Sequence, residues 1–186
     1  ASAMGNGTTA SGNESTAMGY DTTASGEAST AMGYSTTASA QSSTAMGRET
    51  AASGTNSTAM GYVTTASATS STAMGAGTTA SGNYSTAMGA GTTASDYSST
   101  VIGQYNSSGS SATSANSFST SAPAFVIGNG TASNAKSDAF KVMFNGNTTI
   151  GGDDLTIGDL SAFSGSFSQR SAIDVVAHSD GDLLTG

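Results

Sequence analysis

Ser15-Thr16-Ala17-Met18-Gly19 is the stretch on which the fold depends, because it recurs every 14 residues and sets the register of residues 1 to 103. A serine stands seven residues after each methionine of the repeat, so the unit reads S-T-A-M-G-x-x-T-T-A-S-G-x-x. The methionines that mark the period are Met4, Met18, Met32, Met46, Met60, Met74 and Met88. A period kept over this many copies indicates a repeat architecture, in which each unit packs on its neighbours.

Each unit predicts two short strands. Ser15-Thr16-Ala17-Met18 and Thr22-Thr23-Ala24-Ser25 are rich in β-branched or small residues, and each run is followed by glycine and then by two variable positions that predict a turn. A helix is disfavoured, because the regular glycines and paired threonines each oppose helix formation by roughly 0.5 to 1 kcal/mol. Two strands per 14-residue coil predict an all-β fold, a narrow parallel β-roll or solenoid.

The alternation of side chains along a strand predicts which residues face inward. Ala17 and Ala24 are small enough for a narrow lumen, whereas Met18 lies with Thr16 on the opposite face of the first strand. One buried methionine per coil stabilises by about 2 kcal/mol, but ordering each backbone residue costs about 1 kcal/mol or more. A single roll is therefore under-stabilised, and we expect the methionine face to be a seam between chains. The predicted seam residues are Met4, Met18, Met32, Met46, Met60, Met74, Met88 and Ile102.

Composition and charge argue against two kinds of partner, nucleic acid and membrane. The chain has 35% hydrophobic residues, no cysteine and a net charge of -8, with only four lysines and arginines. We expect no nucleic-acid partner, because too few cations are present to neutralise a run of phosphates. No apolar run reaches membrane-spanning length, so we expect no membrane insertion by this segment. The first residues are already in repeat phase, which suggests a segment of a longer chain.

The repeat unit resembles the 14-residue head repeat of trimeric autotransporter adhesins, the YadA-like head, whose usual form is S-V-A-I-G-x-x-A-x-A-x-G-x-x. Ser99-Thr100-Val101-Ile102-Gly103 is nearest to that form, and the resemblance covers residues 1 to 103. It implies a left-handed parallel β-roll assembled as a homotrimer. Threonine and methionine stand here where the family usually has valine and isoleucine, and the family's coiled-coil stalk and membrane anchor are not visible.

The repeat ends at Gly103, and the amino-acid composition changes twice after it. Residues 104 to 124 are rich in Ser and Gly and predict an irregular neck. In residues 125 to 152 we predict strands at Phe125-Val126-Ile127-Gly128-Asn129-Gly130 and at 139 to 144, with Asn145-Gly146 as a hairpin turn. Residues 125 to 151 resemble segments that precede intramolecular chaperone domains of secreted and phage fibre proteins. Residues 153 to 186 predict a strand-rich, truncated C-terminal base.

One column of variable residues is a candidate contact surface. In four consecutive coils the position after the repeat glycine holds Tyr20, Tyr34, Arg48 and Tyr62. Because coils stack at strand spacing, the rings and the guanidinium should lie above one another. We call these four residues the ridge. One interpretation is that the ridge contacts a carbohydrate or a host or cell surface. The other is that stacking only steadies an exposed turn.

Residues with catalytic or metal-binding chemistry are few, and we expect no enzyme, no cofactor and no metal. His178 has Asp174 and Asp180 nearby, but no nucleophile elbow accompanies them, so we interpret it as an ordinary exposed histidine. Asp153-Asp154 and Asp180-Gly181-Asp182 offer oxygen ligands for calcium. Neither pair has the spacing of a known calcium loop, so we interpret both as solvated turns.

We therefore expect a non-enzymatic, extracellular trimeric fibre or adhesin segment that attaches to surfaces through multivalent contacts. A phage or virus tail-fibre shaft shares this architecture and remains an alternative. A second alternative is an ice-binding β-solenoid, since threonines form regular arrays, although strand propensity explains the same columns. The unbroken threonine column comprises Thr8, Thr22, Thr36, Thr50, Thr64, Thr78 and Thr92, and the adjacent column comprises Thr9, Thr23, Thr37, Thr65, Thr79 and Thr93.

Overall fold

The computed structural model of the protein describes residues 1–151, in which the regular structure consists of strands and no helix. Each coil contributes one long and one short strand. The long strands are β1 (Ser2–Asn6), β3 (Thr16–Tyr20), β5 (Thr30–Tyr34), β7 (Thr44–Arg48), β9 (Thr58–Tyr62), β11 (Thr72–Ala76), β13 (Thr86–Ala90) and β15 (Thr100–Gln104). The short strands are β2 (Thr9–Ala10), β4 (Thr23–Ala24), β6 (Thr37–Ala38), β8 (Ala51–Ala52), β10 (Thr65–Ala66), β12 (Thr79–Ala80) and β14 (Thr93–Ala94).

The strands form two parallel stacks that run the length of the roll. Long strands pair only with long strands and short strands with short strands, each in register with the residue 14 positions away, as in the pairs Met4 with Met18 and Thr9 with Thr23. The resulting sheets have 11 and 7 strands, the larger one including three strands that follow the repeats. The predicted all-β parallel solenoid of 14-residue coils is therefore confirmed.

Alanine fills the lumen between the two sheets. Ala17 and Ala24 are 0% exposed, and every coil from the second to the seventh buries its two equivalent alanines completely. Val101 and Val126 continue this core at the end of the roll. The predicted lumen positions are thus confirmed, and serines and threonines such as Ser15 and Thr22 are buried beside the alanines.

The glycine of the repeat lies inside the long strand instead of opening the turn. β3 continues through Gly19 to Tyr20, and Gly19 has φ +128°, a conformation that side chains rarely adopt. A Cβ at Gly19 would overlap the carbonyl oxygen of Gly33 in the next coil. The chain turns one residue after Tyr20, at Asp21, which has φ 53°. The predicted end of this strand at Met18 is therefore wrong, because close stacking of the coils requires glycine within the strand.

The strands after the repeats extend the same sheet. β16 (Pro123–Asn129) pairs in parallel with β15, so that Val101 aligns with Val126 and Ile102 with Ile127. β17 (Asp138–Met143) and β18 (Thr148–Ile150) then add antiparallel strands, joined by a turn with Gly146 at φ +87°. The strands and the hairpin predicted in this region are confirmed. The sheet crosses the boundary predicted between residues 124 and 125, and the division into four domains stays a prediction.

Candidate recognition surface

The ridge residues occupy the last position of four consecutive long strands. Parallel pairing aligns Tyr20 with Tyr34, Tyr34 with Arg48, and Arg48 with Tyr62. Because the pairing is in register, four side chains separated by 14 residues in sequence form one continuous column. This is the arrangement that the repeat predicted.

Stacking holds the ridge together. The rings of Tyr20 and Tyr34 have centroids 5.2 Å apart and planes 8° apart. The Cζ atom of Arg48 lies 5.6 Å from the ring centroid of Tyr34 and 5.3 Å from that of Tyr62, within the range of cation–π attraction. Arg48 also pairs with Glu49 at 3.0 Å. About half of each tyrosine remains accessible, at 47 to 51%. The ridge is thus both ordered and exposed.

A recess begins where the ridge ends. After Tyr62 the same column continues as Ala76 and Ala90, and the next column has Gly77 and Gly91, so that large side chains give way to small ones for two coils. The recess has a volume of about 540 Å³. Its lining residues are Tyr62, Val63, Ala76, Gly77, Ala90, Gly91, Thr93, Tyr105, Ser133 and Lys136. The repeat does not predict this recess, although the change from Tyr62-Val63 to Ala76-Gly77 marks where it starts.

The opposite turn of the roll has a second pair of aromatic residues. Tyr84 and Tyr97 make an edge-to-face contact with centroids 5.3 Å apart, and Tyr84 is 52% exposed. Backbone hydrogen bonds from Asn83 to Ala115 and from Tyr97 to Ser114 hold the neck against this turn. The repeat does not predict this pair, because the two tyrosines stand at different positions of their repeat units.

Two residues that depart from the repeat hold the neck on the roll. Asp96 stands where most coils have glycine or alanine, is fully buried, and accepts hydrogen bonds from the N–H groups of Thr113 and Ser114 at 2.6 and 2.7 Å. Asn106 stands in the threonine column, is also fully buried, and bonds the backbone of Thr93. Both are positional exceptions that the sequence analysis overlooked.

The carboxylate of Asp138 also contacts the neck. Its two oxygens accept from the N–H groups of Ser107 and Ser108, each at 2.8 Å. Asp138 begins β17, so these two bonds tie the first strand after β16 to the start of the neck. The predicted irregular neck is therefore a set of turns held by specific acceptors.

The predicted seam residues lie on the outer face of the large sheet. Met18 and its counterparts up to Met88 are half-buried, as is Ile102, whereas Met4 in the first coil is 64% exposed. At the other end, Phe125 and Phe140 make an edge-to-face contact at 6.2 Å. A column of apolar side chains thus runs along this face beside a column of threonines, and its role as a seam between chains stays a prediction.

The candidate calcium and histidine positions lie outside the described residues. These are Asp153, Asp154, Asp174, His178, Asp180 and Asp182. Within residues 1–151 no group of three or more acidic, histidine or cysteine side chains is placed to hold a metal ion. The same part of the chain contains no helix that could cross a membrane.

A family model described as the YadA head domain repeat matches residues 1–22, 24–50, 52–78 and 80–106. These segments make up more than half of the 186 residues and correspond to the solenoid coils. The resemblance predicted for residues 1 to 103 is confirmed, whereas that of residues 125 to 151 to chaperone-preceding segments stays a prediction. No curated protein and no solved structure matches the chain.

Proposed function

Because the chain belongs to the YadA head family, we propose that it is a non-enzymatic segment of an extracellular homotrimeric fibre or adhesin. Its family and its solenoid fold are of the structural, adhesin type. Its mechanism is attachment, in which three chains in register present every turn residue three times. Contacts that are weak singly then add through effective concentration, which raises avidity by 10² to 10⁴.

The energetics of the roll support association with further copies of the chain, and the number three is taken from the family. The apolar residues of the lumen are almost all alanine, which buries little apolar area per residue. The largest apolar side chains of the repeats, the methionines, are only half-buried in the single chain. Packing this column against two further copies would extend the core, and methionine adapts its shape well to such an interface.

The stacked ridge is the observation that carries the proposed attachment. Aromatic rings and arginine are the side chains that most often dominate recognition surfaces. Here they are pre-ordered by stacking, so binding costs little side-chain entropy. A ligand of extended shape, such as a carbohydrate chain, would contact several coils at once.

The two alternatives have different structural support. A phage or virus tail-fibre shaft would use the same trimer and the same ridge. For ice binding, the column from Thr22 to Thr92 is buried in the lumen and presents no hydroxyls to ice. The adjacent column, which includes Thr23 and Thr37, is the array that faces outward, and Ala51 interrupts it. An assay of ice recrystallisation tests this alternative directly.

The attachment proposal is tested by replacing Tyr20, Tyr34 and Tyr62 together with serine. On a glycan array and on cultured cells we expect retention of the variant to fall at least tenfold, because three stacked contacts per chain are lost. The matched control is Tyr84→Ser, which removes an equally exposed tyrosine from the opposite turn. Unchanged retention by a variant that circular dichroism and sedimentation show to be folded and trimeric would eliminate the ridge as the contact surface.

A further inference from the structure

The recess is an open hollow of about 540 Å³ between Tyr62 at one end and Tyr105 at the other. Its floor is formed by Ala76, Gly77 and Ala90. Two coils of small residues, at about 4.8 Å per coil, open about 10 Å along the roll. At the far end the ring of Tyr105 rests on Gly91, where even a Cβ would collide with it. The recess is therefore long enough along the roll to receive one ring of a ligand.

We propose that the recess binds an acidic saccharide, through one sugar ring that bears a carboxylate. This inference rests on the proposed attachment to carbohydrate and assigns its chemical class. The wall that stacks on the sugar is Tyr62. One side of its ring lies near the guanidinium of Arg48, and the adjacent residue in the next coil is Ala76, which is too small to cover the other side. That aromatic surface is free to contact the apolar face of a sugar ring.

Lys136 makes the recess selective for an anion. It is exposed at the rim, and the other lining residues carry no charge. Within the described residues the one ion pair is between Arg48 and Glu49, so the ammonium of Lys136 is available. The chain as a whole has a net charge of -8, so the recess differs from it in carrying a positive charge. The hydroxyls of Thr93 and Ser133 also line the recess and can bond sugar hydroxyls.

Val63 supplies an independent indication that the recess has a function. Its φ is 52°, a left-handed conformation that is strained for a β-branched residue. Other coils have residues such as Asp21, Ser35 and Glu49 at the same position. Val63 is nevertheless 42% exposed and lines the recess. A strained, exposed valine is explained if its apolar surface meets a ligand.

The test uses the full chain and two monosaccharides that differ at one carbon, glucuronate and glucose. Ligand-observed NMR titration should show glucuronate binding about two- to fivefold more tightly than glucose, the range that one exposed ion pair supplies. Lys136→Gln should abolish that preference, because it removes the charge while leaving a polar side chain at the same position. Ala76→Leu should eliminate binding of both sugars, because it fills the floor. Lys141→Gln is the control, since it removes a lysine that does not line the recess.

Equal affinity for the two sugars, or a preference that survives Lys136→Gln, would overturn the proposal. So would a change in sedimentation of Ala76→Leu, because the recess would then be an interface between copies of the chain. The double variant Tyr20→Ser, Tyr34→Ser leaves the recess intact. If glucuronate binds this double variant normally while surface retention is unaffected, the ridge is not the attachment surface, and saccharide binding in the recess is supported. If retention falls and glucuronate binds neither the unaltered chain nor the double variant, the recess does not bind the saccharide, and attachment through the ridge is supported.

Discussion

The side-chain amide of Asn106 bonds both backbone groups of Thr93, donating to its carbonyl oxygen and accepting from its N–H, each at 2.8 Å. One coil earlier, the N–H of Thr79 is bonded by the backbone carbonyl of Thr92. In a regular repeat, backbone groups of the next coil would bond Thr93. Here the side-chain amide of Asn106 takes the place of those backbone groups. It closes the sheet of short strands where the regular repeats stop.

Asn106→Ala should lower the free energy of unfolding by about 2 to 4 kcal/mol, because it leaves two backbone groups of Thr93 without partners. Urea unfolding at fixed protein concentration measures this change. Asn116→Ala is the control, since Asn116 is exposed and its side chain accepts one long bond, at 3.4 Å from Asn83. Equal stability of the two variants would show that the end of the short-strand sheet needs no such cap.

The repeat period allowed much of the fold to be predicted. A 14-residue spacing with alternating alanines places both strands of a coil and identifies the lumen, because only in-register stacking satisfies every unit at once. It also places the ridge, since residues at one repeat position must form one column. The alignment of Tyr20 with Tyr34 follows from this argument alone.

The continuation of the roll into β16 was not predicted, because a spacing of 25 residues separates Gly103 from its partner Gly128. The signal was nevertheless present, as Val101-Ile102-Gly103 recurs at Val126-Ile127-Gly128. The recess was missed for another reason. It is formed by side chains that are small at two coils and by Lys136 from a loop beyond the repeats, and periodicity does not place that loop.

Thr64→Val should stabilise the roll by about 1 to 2 kcal/mol. The hydroxyl of Thr64 is buried in the lumen and has no hydrogen-bond partner, and valine has the same shape without the polar group. Thermal and urea unfolding measure the effect. Thr65→Val, one residue away on the outer side of β10, is the control and should change stability by less than about 0.5 kcal/mol. A destabilised Thr64→Val variant would show that the lumen hydroxyls are hydrogen-bonded in solution.

Two glycines in adjacent coils should respond differently to alanine. Gly61 has φ +124°, and a Cβ there would overlap the carbonyl oxygen of Gly75, so Gly61→Ala should cost more than about 3 kcal/mol or prevent folding. Gly77 has φ +63° and its added Cβ would meet its nearest atom at 3.8 Å, so Gly77→Ala should cost about 1 kcal/mol. Circular dichroism on heating compares the two. Similar losses would mean that backbone conformation, and not coil stacking, determines where glycine is needed.

The seam is tested by placing a charge on the methionine face. Met46 is half-buried on the outer side of β7, with Met32 and Met60 aligned beside it in the adjacent coils. In a trimer packed through this face, Met46→Glu would bury an unpaired carboxylate on each chain, at a cost of several kcal/mol per ion. Sedimentation velocity should then show loss of the trimer.

Two controls separate the seam from general effects of substitution. Thr37→Glu puts the same charge on the exposed face of the short-strand sheet and should leave the trimer intact. Met46→Ile keeps an apolar side chain of similar volume in the seam and should also sediment as a trimer. If Met46→Glu remains trimeric, the chains associate through a different face. A stable folded monomer of the unaltered chain would contradict the argument that an alanine lumen alone is too small a core.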